Sequence, residues 1–113
     1  DLMKDPLYQR YLVPVLLEIE KNFDQNLTVQ TLSRQVYITP QYLSRLFQKF
    51  LGCSTYEYLT TYRINKAKEY LMLYQRMEVQ EIAARTGFPD SSHFIAMFRK
   101  MTGVTPLEFR KIN

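Results

Sequence analysis

The sequence predicts an all-α protein of about seven helices, built as two similar halves around one long central helix. Three observations carry this reading. Apolar residues recur with a helical period along most of the chain. Residues Ser54–Leu73 contain no Gly or Pro and read as one helix of about 30 Å, at roughly 1.5 Å per residue. On either side stands a version of the same pattern, Leu43–Tyr58 (LSRLFQKFLGCSTYEY) and Phe94–Phe109 (FIAMFRKMTGVTPLEF).

Residues 1–6 read as a frayed start. Tyr8, Tyr11, Leu12, Val15, Leu16, Ile19 and Phe23 then form one helical face, with Pro14 either kinking the helix or marking its true first turn. Thr28 is the expected N-cap of a short second helix with core residues Val29, Leu32 and Val36. Tyr37-Ile-Thr39-Pro40 breaks it, and Pro40 suits the first position of a third helix ending near Leu51. Leu43, Leu46, Phe47 and Phe50 are its buried stripe, and Gly52 stops it. Ser54-Thr-Tyr-Glu57 is a capping-box pattern opening the central helix, and Tyr74–Met77 leads out of it. A fifth helix, about Glu78–Arg85, packs through Val79, Ile82 and Ala83. A sixth, about Ser91–Thr102, buries Phe94, Met97, Phe98 and Met101. Gly103 stops it, and a second capping box, Thr105-Pro-Leu-Glu108, opens a last short helix, Pro106–Lys111.

A shift of 51 superposes the buried stripes of the third and sixth helices, and also Gly52 on Gly103, Ser54 on Thr105 and Glu57 on Glu108. The preceding helices correspond too, Val29 with Val79 and Leu32 with Ile82, with one extra residue in the second turn. Short helix, tight turn, longer helix is the helix-turn-helix outline. The expected organisation is a first subdomain over residues 1–53, a linker helix over 54–73 and a second subdomain over 74–113.

The 113 residues carry a formal charge of +4, unevenly placed. Residues 1–27 hold three basic and five acidic side chains; the remainder holds twelve basic and six acidic. The duplicated region therefore carries the positive charge and suits a polyanionic partner. The third helix exposes Gln41, Tyr42, Ser44, Arg45, Gln48 and Lys49, and the sixth Ser91, Ser92, His93, Ile95, Ala96, Arg99 and Lys100. Neither face holds an acid, which suits a groove lined by phosphates. A duplicated helical hairpin serving as a protein-interaction module is the alternative, and nine tyrosines would serve such contacts.

Other classes find little support. There is no Gly-rich phosphate loop, metal-ligand cluster or nucleophile–histidine constellation, so neither an enzyme nor a metal or cofactor is expected. The one cysteine, Cys53, excludes an internal disulfide and reads as a small structural hydrophobe. The longest apolar run, Tyr11–Leu17, is too short to span a membrane, and no secretory signal is visible. A cytoplasmic protein is expected. The start at Asp1 rather than Met fits a piece of a longer chain.

The residues Ala83, Gly87, Phe88, Ser92, Phe94, Phe98, Arg99, Gly103, Thr105, Pro106, Phe109 and Arg110, at their spacing, resemble the signature of AraC/XylS-type transcription regulators. Leu32-Ser33 and Tyr42–Phe47 are similar to that family's first motif, and Tyr58, Leu59, Arg63, Ala67 and Leu71 to its linker helix. The resemblance covers roughly residues 8–112. It implies two helix-turn-helix units whose third and sixth helices enter adjacent major-groove segments on one face of double-stranded DNA. It also implies contact with RNA polymerase and a separate effector or dimerisation domain, which residues 1–27 are too few to form.

Arg45 is the sharpest candidate, either bidentate to a guanine or on a phosphate. Gln41 and Ser44 are candidate base readers; Gln48 and Lys49 suit the backbone. In the sixth helix Ser91, Ser92 and His93 lie near the helix start, where base contacts concentrate. Ile95 and Ala96 either meet thymine methyls or read little, so the first unit is expected to supply most specificity and the second mostly affinity. Arg63 is either internally paired or a phosphate contact. Ser54, Thr105, Arg99, Lys100 and Arg110 complete the expected phosphate set. The central helix, close in length to the roughly 34 Å of one DNA turn, is expected to space the two readers.

Overall fold

Pro14 shapes the start of the chain. In the computed structural model, which describes residues 1–113, Tyr8–Leu12 form a π-helical turn that runs directly into α1 (Val13–Asn22). The Val13 amide donates to the Tyr8 carbonyl oxygen, five residues back. A proline ring inside an ordinary α-helix collides with the carbonyl four residues earlier, and the wider turn relieves this. Both expected roles of Pro14 are thus combined: it sits in the first turn of α1 and the helix before it is distorted. Residues 1–6 are not frayed. Leu2–Lys4 make a 3-10 turn whose first residues are held by the Asp1 carboxylate, and Gln9 Nε2 donates to the Met3 carbonyl oxygen at 2.6 Å.

The remaining helices follow the sequence signals closely. They are α2 (Val29–Gln35), α3 (Pro40–Leu51), α4 (Thr55–Leu73), α5 (Val79–Arg85), α6 (Ser91–Thr102) and α7 (Pro106–Ile112). No helix is long and apolar enough to cross a membrane. Thr28, Thr39, Asp90 and Thr105 cap α2, α3, α6 and α7 with their side chains, each relieving one orphan amide of a first turn. Ser54 and Glu57 exchange hydrogen bonds of 2.9 and 3.0 Å at the start of α4, and Thr105 and Glu108 exchange bonds of 2.8 and 3.1 Å at the start of α7. Both capping boxes read from the sequence are formed. Gly52 and Gly103 close α3 and α6 at φ of 74° and 87°. A Cβ at either would meet nothing within 4 Å, so the glycines are required by the backbone angle rather than by space.

The chain divides into two units, Asp1–Thr60 and Thr61–Asn113, with the boundary inside α4. The first unit buries Leu12, Val15, Ile19, Leu32, Leu43, Leu46, Phe47 and Leu59. Phe47 meets Tyr58 edge-on at 5.6 Å, and Tyr8 meets Phe50 at 5.4 Å, which leaves Phe50 half-buried rather than central. The second unit's core joins Ile64, Ala67 and Leu71 of α4 to Ile82, Ala83, Phe88, Phe94 and Phe98. Truncating Phe47, Phe94 or Phe98 to Ala is expected to cost about 3–5 kcal/mol. Met101, expected in the buried stripe, is 39% exposed. It lies in the last turn of α6. Cys53 is half-buried; burial first, and the Glu57 charge second, push its thiol up from the ordinary value.

Candidate nucleic-acid interface

In the first unit, α3 buries Leu43, Leu46 and Phe47 and leaves Gln41, Arg45, Gln48 and Lys49 exposed. These four form the polar stripe that the 3.6-residue period demands opposite an apolar one. Ser44 is half-buried, its hydroxyl 3.5 Å from that of Thr55, so it lies at the margin of the stripe. Tyr42 packs, meeting the Tyr11 ring at 6.1 Å. Lys49 Nζ stands 5.1 Å from the centre of the Phe50 ring. The cap at the start of α3 is the neutral Thr39, whose Oγ1 accepts from the Tyr42 amide.

In the second unit, α6 exposes Ser92, His93, Ile95, Ala96, Arg99 and Lys100, with Ser91 half-buried. The His93 ring tilts against Phe88 at 5.8 Å. Its amide donates to Asp90 Oδ1 at 2.7 Å. So although the exposed face of α6 holds no acid, a carboxylate caps its start, where α3 has a neutral threonine. A groove of about 440 Å³ runs beside this helix and gathers Arg76, Gln80, Ser91, Ile95 and Leu107, with Glu78 also in its wall. Sequence reasoning left out Arg76 and Gln80. Arg76 lies in a connection with no period to read. Gln80 had a signal, because it matches Gln30 when the two copies are aligned.

The exposed cations Arg45, Lys49, Arg99 and Lys100 make no ion pair, whereas Lys66 pairs with Glu69 at 3.6 Å and Arg85 with Glu81 at 3.4 Å. Four expected phosphate contacts are already engaged within the fold. Ser54 and Thr105 commit amide and hydroxyl to their capping boxes, which place the Glu57 and Glu108 carboxylates at those helix starts. A phosphate arriving there meets a like charge. Arg110 donates from Nε to the Leu71 carbonyl oxygen and from Nη2 to that of Tyr74, both at 3.0 Å. Arg63 is half-buried on α4 and has an interaction within the protein.

A family model described as a helix-turn-helix domain matches residues 32–112. The uncharacterized HTH-type transcriptional regulator YtdP of Bacillus subtilis is 33% identical over 107 residues, 95% of this chain and 14% of its own length. The arabinose operon regulatory protein of Escherichia coli is 34% identical over 87 residues, 77% of this chain and 30% of its own. The chain thus spans less than a third of either relative. Among solved structures, the C-terminal domain of AraT, a response regulator from Geobacillus stearothermophilus, superposes with a TM-score of 0.84 at 32% identity, covering 96% of this chain and 87% of that one.

Proposed function

Because the chain belongs to the AraC/XylS-type helix-turn-helix family and is a DNA-binding domain, we propose that α3 and α6 are its two major-groove readers, with unequal tasks. The observation that carries this is the acid-free polar stripe of α3, Gln41, Arg45, Gln48 and Lys49, presented behind a neutral cap. Arg45 reads a guanine edge, with Gln41 and, at the margin, Ser44 beside it. Gln48 and Lys49 neutralise phosphates. On α6, Ser91, Ser92 and His93 stand at the entering end, and Ile95 and Ala96 offer only methyl contacts. Arg99 and Lys100 add charge. Ser54, Arg63, Thr105 and Arg110 act first on the fold and only second, if a phosphate approaches, on DNA. A subdomain–linker–subdomain division at residues 53 and 73 follows this division of labour.

The whole regulator carries, in this reading, an effector or dimerisation domain beyond the chain described and a contact with RNA polymerase. In the same reading it works in the cytoplasm, on DNA. The test is a binding titration at stated salt against an operator obtained by site selection, followed by base substitution across both half-sites. Larger penalties in the α3 half-site are expected. Equal penalties in both would remove the division of labour while leaving DNA binding intact.

A further inference from the structure

The first turn holds a tyrosine in a conformation that its copy gives to a glycine. In both units the helix before the turn, α2 or α5, ends in the same double hydrogen bond. Ile38 N donates to Ser33 O and Tyr37 N to Arg34 O, while Phe88 N donates to Ala83 O and Gly87 N to Ala84 O. The central residue of this helix stop is left-handed, Gly87 at φ 90° and Tyr37 at φ 62°. Glycine adopts that region freely; a tyrosine is strained there. The two hydrogen bonds hold the backbone there, but the Tyr37 side chain packs on little of the fold, being 93% exposed. Strain held at a fully exposed aromatic points to a task outside the fold.

Tyr37 borders a groove of about 300 Å³ whose other walls are Arg10, Tyr11, Pro14, Gln35 and Val36. The wall contains a guanidinium and no carboxylate. The guanidinium is oriented: Arg10 Cζ lies 5.3 Å from the centre of the Tyr11 ring, and Tyr11 in turn rests edge-on against Tyr42 in the first turn of α3. Two aromatic rings in edge contact thus link Arg10 to the first turn of α3. Tyr37 itself stands two residues before the Thr39 cap, within about 8 Å of chain at roughly 3.8 Å per residue.

We propose that Arg10 and Tyr37 form a sugar–phosphate contact that extends the DNA interface of the first unit beyond α3. The proposal rests on the reading that the start of α3 faces DNA. Arg10 supplies the charge, and the Tyr37 ring and hydroxyl lie along the deoxyribose and phosphate. Residues 1–27, net acidic, thereby still contribute one specific cation to the interface.

The test uses this chain and a selected operator duplex. Arg10→Ala is expected to weaken binding about three- to tenfold near 0.1 M salt and to lower the slope of log affinity against log salt by about 0.9, without changing base preference. Arg10→Lys is expected to keep the slope. Tyr37→Gly is expected to hold or raise the thermal midpoint, since glycine favours the observed φ, and yet to weaken binding. An unchanged slope in Arg10→Ala, or unchanged affinity in Tyr37→Gly, overturns the proposal and leaves the groove to a protein partner. Arg45→Ala is titrated in parallel: loss there with no effect at Arg10 or Tyr37 refutes only this extension. No effect at any of the three refutes the DNA-facing reading of α3.

Discussion

Arg110 holds the end of the helix that carries Leu71. Its Nε donates to the Leu71 carbonyl oxygen at 3.0 Å, and Nη2 reaches the Tyr74 carbonyl oxygen at the same distance. The last carbonyls of α4 have no partners within the helix, and a cation there also meets the negative end of the helix dipole. Arg110→Ala is expected to lower stability by roughly 1–2 kcal/mol, less than a buried charged hydrogen bond because the side chain is half-exposed. Lys, with one compact donor group instead of a fork, is expected to recover part of it. Chemical denaturation measures this. The salt slope of DNA binding discriminates the roles: a cap leaves it unchanged, whereas a lost phosphate contact lowers it by about 0.9.

Arg45 is the side chain whose loss is expected to alter what the protein reads rather than only how tightly it binds. Arg45→Ala is expected to cost about 1–3 kcal/mol of specific binding and to relax one base position. Lys49→Ala is expected to weaken all sites alike. Titration against a panel of single-base operator variants checks both. A base preference unchanged in Arg45→Ala would move this arginine to the backbone.

The Glu108 carboxylate closes the capping box of α7, and its pKa lies below the ordinary glutamate value. The backbone amide of Thr105 is the largest cause and the Thr105 hydroxyl the next; burial opposes them, and the charges of Arg99 and then Lys111 add weaker downward pulls. A depressed folded value means the stabilisation is fully present above the ordinary carboxylate pKa and is lost as the pH falls through the folded one. Glu108→Gln keeps an acceptor for the Thr105 amide but no charge. Its thermal midpoint is expected to fall below that of the parent at neutral pH, and the gap to close in acid. A gap independent of pH would show that the carboxylate charge contributes nothing to the cap.

What the sequence disclosed was local. Ser54 with Glu57, Thr105 with Glu108 and the glycines at 52 and 103 are signals contained within four residues, and each formed as read. The stripes of α3 and α6 were legible because burial follows the helical period. Met101 escaped because periodicity assigns a direction but not how far the core extends along the helix. Arg110 escaped because its partners lie 36 and 39 residues earlier. Tyr37 escaped because a pattern of apolar residues carries no information on φ; only its alignment with Gly87 hinted at it. At the proposed interface, the exposure of Gln41, Arg45, Gln48 and Lys49 was legible, whereas Ser44 at the margin and the groove holding Arg76 depended on packing.

Asp90 bears on the unequal tasks proposed for α3 and α6. It caps α6 by accepting from the His93 amide at 2.7 Å, whereas Thr39 does the same for α3 at 3.1 Å without a charge. A carboxylate at the entering end of a reader stabilises the helix through its dipole but repels the phosphates that flank a groove. Folding and binding therefore pull in opposite directions at this residue. Asp90→Asn retains a capping oxygen and removes the charge, so stability is expected to change by less than about 0.5 kcal/mol. DNA affinity is expected to rise several-fold, most at low salt, where screening is weakest. Asp90→Ala loses the cap as well, and is expected to cost about 1 kcal/mol of stability. Titrations of both variants at two salt concentrations separate the effects. Affinity unchanged by Asp90→Asn would mean that this carboxylate stands away from the phosphates, and the weaker reading assigned to α6 would then rest on Ile95 and Ala96 alone.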